Sequence, residues 1–164
     1  MLDLRLKAYG IAAAVFALDR VTKRIIETRV TFSDTFKVIP GLFDIVRSEN
    51  RGVAFGLFND STSEWRTGLL IAASLAAIVL VGSLLWRPER LDRLSLFGFA
   101  LILGGAAGNL FDRIMWGQVT DFLLFYIGSY QWPTFNAADS AIVIGSGLLL
   151  LDFLRPKREA ANAS

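Results

Sequence analysis

At 164 residues the chain reads as one domain, residues 1–164. Its residues are 54% hydrophobic with a positive mean hydropathy, which points to a membrane protein before any motif is considered. There is no Cys, which excludes disulfides and thiolate chemistry, and no His, which excludes a Ser-His-Asp triad and imidazole-built metal sites. The net charge is +2 with basic and acidic residues interspersed, unlike the basic stripe of a nucleic-acid surface.

In chain order, the first predicted element is a membrane span over residues 8–28. Ala8 to Leu18 is apolar, and Asp19, Arg20, Lys23 and Arg24 follow. The same apolar run would suit a signal-peptide core, but Asp19-Arg20-Val21-Thr22-Lys23 stands where a small-residue cleavage site would be needed. Residues 31–59 read as an outer β segment: Phe36 to Ile39, the turn Pro40-Gly41, Leu42 to Val46, and Gly52 to Phe55. A sheet edge is not tolerated in lipid, so this segment belongs at the membrane surface.

Thr67 to Trp86 is a run of 20 residues without a charge, enough to cross a hydrocarbon core, and predicts a span over about 66–86. Leu94 to Phe111 is a second uncharged run, of 18 residues, and predicts a span over 94–113. Residues 114–134 read as an outer loop. Residues 136–154 make the last span, with Asp139 near one end and Asp152 near the other. Ala160 to Ser164 reads as a frayed tail.

The expected fold class is therefore a mainly α integral membrane protein, with four transmembrane helices and a small β-sheet over their outer end. Charge sets the expected orientation. The N-terminus, the Arg87–Arg93 link and the C-terminal tail carry eight Lys and Arg, while residues 29–64 carry four and residues 114–134 carry none. By the positive-inside rule both termini are cytoplasmic. Trp65, Trp86, Trp116 and Trp132 fall near the span boundaries, as interfacial tryptophans do.

In this topology the unusual polar residues gather at one level: Asp19, Lys23, Asn50, Arg51, Asn109, Asp112, Arg113, Asp121, Asn136 and Asp139. An ionisable residue in a span costs roughly 2.5–3.5 kcal/mol on insertion scales, so a cluster of them at the outer face marks a candidate active site. Asp121 and Asp139 are the best pair for chemistry, since two close carboxylates share a proton and divide the roles of acid and base. Position alone leaves other roles open. Asp139 suits a helix N-cap, Asp121 a solvated loop, Asn109 an interhelical hydrogen bond, and Asn50-Arg51-Gly52 a turn. Asp19 and Lys23, four apart, suit an intrahelical ion pair, and Gly104 and Gly108 suit close helix packing.

Taken together, these blocks resemble lipoprotein signal peptidase, the type II signal peptidase of bacteria. They are Asp19 to Lys23, Asn50 to Phe55, Gly104 to Arg113, Val119 to Phe122 and Phe135 to Asp139, in that order, with Val53 a mild variation where a small residue is expected. The resemblance implies an aspartic endopeptidase of the bacterial cell inner membrane. Such an enzyme cuts the signal peptide from diacylglyceryl-modified prolipoproteins just before the lipidated Cys. It implies Asp121 and Asp139 as the catalytic dyad, with Asp19, Lys23, Asn50, Gly52, Asn109, Arg113, Asn136 and Ala138 in substrate-binding or supporting positions. It implies as partners the prolipoproteins and membrane lipids; no cofactor is expected, no metal, since without His or Cys it would need an all-oxygen site, no nucleic acid, and a monomeric enzyme. The rival reading, a small proton-coupled carrier, predicts acids along a path across the membrane. Asp152 is the single inner-half acid of the predicted spans.

Overall fold

A computed structural model describes residues 2–52 and 64–155. In chain order these form α1 (Leu2–Arg29), β1 (Thr35–Ile39), β2 (Phe43–Asn50), α2 (Glu64–Leu85), a 3-10 turn at Pro88–Arg90, α3 (Arg93–Trp116), β3 (Val119–Ile127), β4 (Tyr130–Gln131) and α4 (Ala137–Leu154). Among the described residues, three helical stretches are long and apolar enough to cross a membrane: Thr67–Leu85, Arg93–Trp116 and Ala137–Leu154. The fourth expected span, α1, has 28 residues and is long enough, but its composition is more polar. Its two central charges, Asp19 and Lys23, point inward and are fully buried.

Helix α3 is the axis of the bundle and packs against α1, α2 and α4. It can do so because glycine removes side chains where the backbones meet. A Cβ on Gly104 would meet the Ala12 carbonyl and Val15 of α1, and one on Gly108 would run into the Asp19 carboxylate. The close-packing reading of Gly104 and Gly108 therefore holds. Gly98 of α3 and Gly145 of α4 face each other's carbonyl oxygens in the same way. The helix ends where Gly117 takes φ 70°, a left-handed cap in which glycine carries no steric penalty.

The four strands form one antiparallel sheet in the order β1-β2-β3-β4. The turn expected at Pro40-Gly41 is present, with Gly41 at φ 75° and the Leu42 N–H bonded to the Ile39 carbonyl. Beyond the first hairpin the sheet differs from the expectation. Residues 114–134 are not simply a loop, because Val119–Ile127 is a nine-residue strand paired with β2. Its early residues are buried whatever their parity, so the alternation that marks a half-exposed strand is missing. The last expected strand begins at Gly52, which lies in a bend with φ 90°; Val53 to Phe55 lie outside the described residues, as do Lys157, Arg158 and Ala160 to Ser164.

The Gly98–Gly145 contact gives a direct test of this packing. A Cβ on residue 145 would sit 2.6 Å from the Gly98 carbonyl oxygen and 2.8 Å from Ile102 Cγ1, closer than any real Cβ contact. Gly145→Ala should force α3 and α4 apart and cost about 1–3 kcal/mol, as overpacking does. Gly68→Ala in α2, where nothing lies within 4 Å, should leave the melting temperature in detergent unchanged or slightly raised.

Candidate active site

The site forms where α1, α3 and the start of α4 meet β3, and its foundation is a buried lysine. Lys23 is completely enclosed, and an ammonium in that position needs acceptors on all sides. Its Nζ lies 2.8 Å from Asp19 Oδ2, 2.6 Å from Asp112 Oδ2 and 3.0 Å from Asn109 Oδ1. Asp112 also pairs with Arg20, whose guanidinium lies over the rings of Phe111 and Trp116. Two cations and two carboxylates thus neutralise one another inside the bundle. Asp19 has a second function, because its Oδ1 accepts the backbone N–H of Ala138 at 3.0 Å and so ties α1 to the first turn of α4. The expected Asp19–Lys23 pair is present, but it is part of a network and not a self-contained bridge.

The start of α4 is set by its own sequence. Asn136 is the N-cap, and its side-chain oxygen accepts the Asp139 N–H at 2.9 Å. Asp139 returns the bond, its Oδ2 accepting the Asn136 N–H at 3.2 Å, which closes a capping box. Asp139 is therefore not the N-cap itself but the N3 residue that closes the box three positions on. Its other oxygen, Oδ1, accepts from Asn109 Nδ2 at 2.7 Å.

Asp121 comes from β3, where the sequence predicts a loop. It is buried and not a solvated loop acid. On the other side of the strand, Phe122 and Leu123 both donate to the carbonyl of Phe135, which fixes Asn136 beside Asp121. Asn136 Nδ2 donates to Asp121 Oδ1 at 2.7 Å, and Asn50 Nδ2, from the end of β2, donates to Asp121 Oδ2 at 3.1 Å. Asn50 is in turn held by the Gly52 N–H, which donates to its Oδ1 at 2.8 Å, so Asn50-Arg51-Gly52 is a turn and part of the site at once. Asn136 thus touches both carboxylates, one through its side chain and the other through its backbone.

Burial and, next to it, the charge of Asp139 push the Asp121 carboxyl up to about 6, while the bonds from Asn50 and Asn136 pull the other way. Arg113, half-buried, lies in the field of Asp139, Asp121 and Asp112, and its Nη1 donates to the Asn109 carbonyl at 3.2 Å. The structure therefore brings together the expected polar residues except Arg51, whose exposed side chain donates to Gln118, and includes Gly52 and Ala138 through their backbones. It adds Arg20, which the sequence does not single out, and gives Asp112 a role in the ion network. Their signal is in the sequence, as charges within otherwise apolar helices, but the two partners lie 92 positions apart. At the other end of the bundle Asp152 accepts from Ser95 and has no connection to this network. Among the described residues no group of His, Cys, Asp and Glu is arranged to hold a metal.

Comparison with known proteins gives the family and the fold. The family model described as "Signal peptidase (SPase) II" matches residues 11–155. The chain is 64% identical over 164 residues to a lipoprotein signal peptidase of Solibacter usitatus (strain Ellin6076), covering 100% of both chains. It is 42% identical to a lipoprotein signal peptidase of Nitratidesulfovibrio vulgaris (strain DP4), covering 99% of each. A solved structure described as a bacterial membrane enzyme, determined by the in meso method at 2.3 Å, superposes with a TM-score of 0.81 at 28% identity, covering 96% of this chain and 93% of that one. A second, at 1.9 Å, gives 0.80 at 28% identity, covering 92% and 94%. None of these relatives supports the carrier reading.

The causes acting on Asp121 predict opposite shifts for two substitutions. Asp139→Asn removes the neighbouring charge, so Asp121 should titrate lower than in the parent protein. Asn50→Ala removes a bond to the ionised form, so Asp121 should titrate higher. Carbon-13 NMR of carboxyl-labelled aspartate in detergent reads both directions.

Proposed function

The chain belongs to the signal peptidase II family, aspartic-type peptidases that cleave lipoprotein signal peptides, and from that premise we propose that Asp121 and Asp139 are its catalytic dyad. The observation that carries the proposal is the single asparagine, Asn136, bonded to both carboxylates. One aspartate takes a proton from water as the water oxygen attacks the scissile carbonyl carbon, and the other donates to the carbonyl oxygen. Collapse of that intermediate breaks the C–N bond and returns a proton to the leaving amine. Asp19 and Lys23 hold the helices in register beneath the dyad. Asn50, Gly52, Asn109, Asn136 and Ala138 hold the carboxylates and the start of α4, and Arg113 faces the charge that develops there.

The proposed substrate is a prolipoprotein whose Cys carries a diacylglyceryl group, cut just before that Cys. Lipid of this kind does not leave the bilayer cheaply, at about 0.8 kcal/mol per buried CH₂, so the enzyme works where the lipid is. We place the enzyme in the bacterial inner membrane as a monomer and one polytopic domain, with α1 as a fourth span and both termini cytoplasmic. The dyad then lies near the outer face, where water reaches it. Supporting this orientation are the basic residues of the Arg87–Arg93 link.

Purified enzyme and a diacylglyceryl-modified prolipoprotein provide the test. Asp121→Asn and Asp139→Asn should each abolish release of the signal peptide while the protein inserts and folds. The same prolipoprotein with Ser in place of the Cys should be a very poor substrate, with kcat reduced as well as affinity, because remote binding energy is used to position the scissile bond. Near-normal turnover by either variant removes the dyad, and equal cleavage of both peptides removes the lipid requirement.

Orientation has its own measurement. A reporter fused after Ser164 should be active in the cytoplasm, and one inserted within residues 31–59 should be active outside. A C-terminal reporter active outside the cell would reverse the orientation and move the dyad to the wrong face.

A further inference from the structure

A half-buried cation that the peptidase site does not use lies at the other end of the bundle. Helix rise puts about 27 Å between Arg5 and Lys23 on α1. There α1 packs on the end of α2 and on the 3-10 turn. Ala8 and Leu85 are fully buried in that contact, and Tyr9 donates its hydroxyl to the Gly82 carbonyl at 3.0 Å. The Arg5 guanidinium lies over the Trp86 ring, 5.1 Å from its centre, and its Nε is sealed from water without an acceptor. Among the described residues no carboxylate neutralises Arg5. Asp3 pairs with Lys7 at 2.7 Å, Asp92 caps α3 by accepting from Leu94 and Ser95, and Asp152 accepts from Ser95. The position adds to the demand for an anion, because the first turns of α1 carry the positive end of the helix dipole. Exposed Arg87, next to Trp86, adds charge of the same sign.

The level of Arg5 in the membrane decides what that anion is. Trp86 directly follows Thr67–Leu85, a stretch of lipid length, so its ring marks where hydrocarbon gives way to headgroups. The anionic acceptors at that level are phosphate oxygens, and a guanidinium meets a phosphate with two parallel N–H bonds. Nη1 and Nη2 are the edge left open for it, since packing closes off Nε alone. We propose that Arg5 and Trp86 form a headgroup site for an anionic phospholipid of the phosphatidylglycerol kind, whose phosphodiester takes the Arg5 fork. A zwitterionic headgroup brings its own cation beside the phosphate and leaves the charge of Arg5 without compensation. Free phosphate offers the same oxygens but stays hydrated in water, whereas a lipid holds its phosphate at the depth of the ring.

Native mass spectrometry of the full chain in neutral detergent tests the site, with phosphatidylglycerol and phosphatidylcholine added in equal amounts. The parent protein should retain phosphatidylglycerol about fivefold more than phosphatidylcholine, the scale of one basic residue at an anionic surface. Arg5→Gln should abolish that preference. Lys7→Gln, which removes a cation of the same helix end that Asp3 already pairs, should change it by less than about twofold. Excess inorganic phosphate should not displace the lipid. Equal retention of the two lipids by the parent overturns the proposal, as does an equal loss in the two variants, which would mean surface charge without a site. Displacement by inorganic phosphate also overturns it, since the site would then take a free anion. Melting in neutral detergent without lipid shows whether Arg5→Gln is folded. If it is not, Trp86→Leu takes its place: it keeps the charge and removes the ring, and should lower the preference by about twofold or more. Full preference in a folded Trp86→Leu protein overturns the assignment of the ring.

Discussion

An ammonium group sealed from water must be surrounded by acceptors, and the acceptors Lys23 uses come from two helices. Asp19 is on its own helix, and Asp112 and Asn109 are on α3. Asp19 reaches further, to the Ala138 N–H at the start of α4. The three helices that frame the site are thus fastened at one level by one cation. Taking that cation away alone would leave buried carboxylates without their counter-charge, a defect that commonly costs about 3–5 kcal/mol. The glycines follow from the same constraint. A side chain at residue 108 would displace the Asp19 carboxylate, and one at residue 104 would push α1 away from α3. Charge and small size therefore act together: the helices come close enough for the ion network, and the network holds them close.

The sheet supplies what the bundle lacks. Helices can present Asp139 and Asn109, but a second carboxylate approaching Asp139 across its helix start needs an element at a different angle. Strand β3 provides it, held on one side by β2 and on the other by the backbone of Phe135. Because Phe135 directly precedes Asn136, the same pairing that anchors the strand places the helix cap beside Asp121. Local capping chemistry and sheet pairing meet in one residue, and Asn136 is fully buried there. A mobile linker between strand and helix would leave the spacing of two like charges to chance.

Helices α2 and α3 are legible in the sequence because an uncharged apolar run of lipid length suits a membrane span and little else. The β1–β2 hairpin is legible because Pro40-Gly41 separates two runs of strand-forming residues. Strand β3 is not. Val119-Thr120-Asp121-Phe122 is buried on both faces, so its residues carry no alternation to set against the pattern of a loop. The aromatic and β-branched character of Val119 to Ile127, followed by Gly128, is the available signal. The capping box at Asn136 and Asp139 is half legible: Asp139 reads as a capping residue, but the box needs Asn136 as its partner. Arg20 and Asp112 show the limit most clearly. Each is visible as a charge in an apolar context, but nothing local says that they pair with each other, since the contact is made by the packing of α1 on α3.

A chain without His or Cys has few ways to steer protons between two carboxylates. Serine and threonine hydroxyls rotate and can donate or accept, so they do not specify which aspartate is ionised. Lysine and arginine placed directly on the dyad would favour ionisation of both members and remove the acid. An asparagine amide donates without carrying charge, and it becomes directional once its oxygen is committed elsewhere. At Asn136 and Asn50 that commitment is made by backbone N–H groups. At Asn109 it is made by the Asn136 NH₂ together with Lys23, the same cation that fastens the helices. The lysine's charge reaches Asp121 through space, while its contact with Asp139 runs through a neutral amide. The proposed dyad, Asp121 and Asp139, thus takes its described side-chain hydrogen bonds from neutral amides alone.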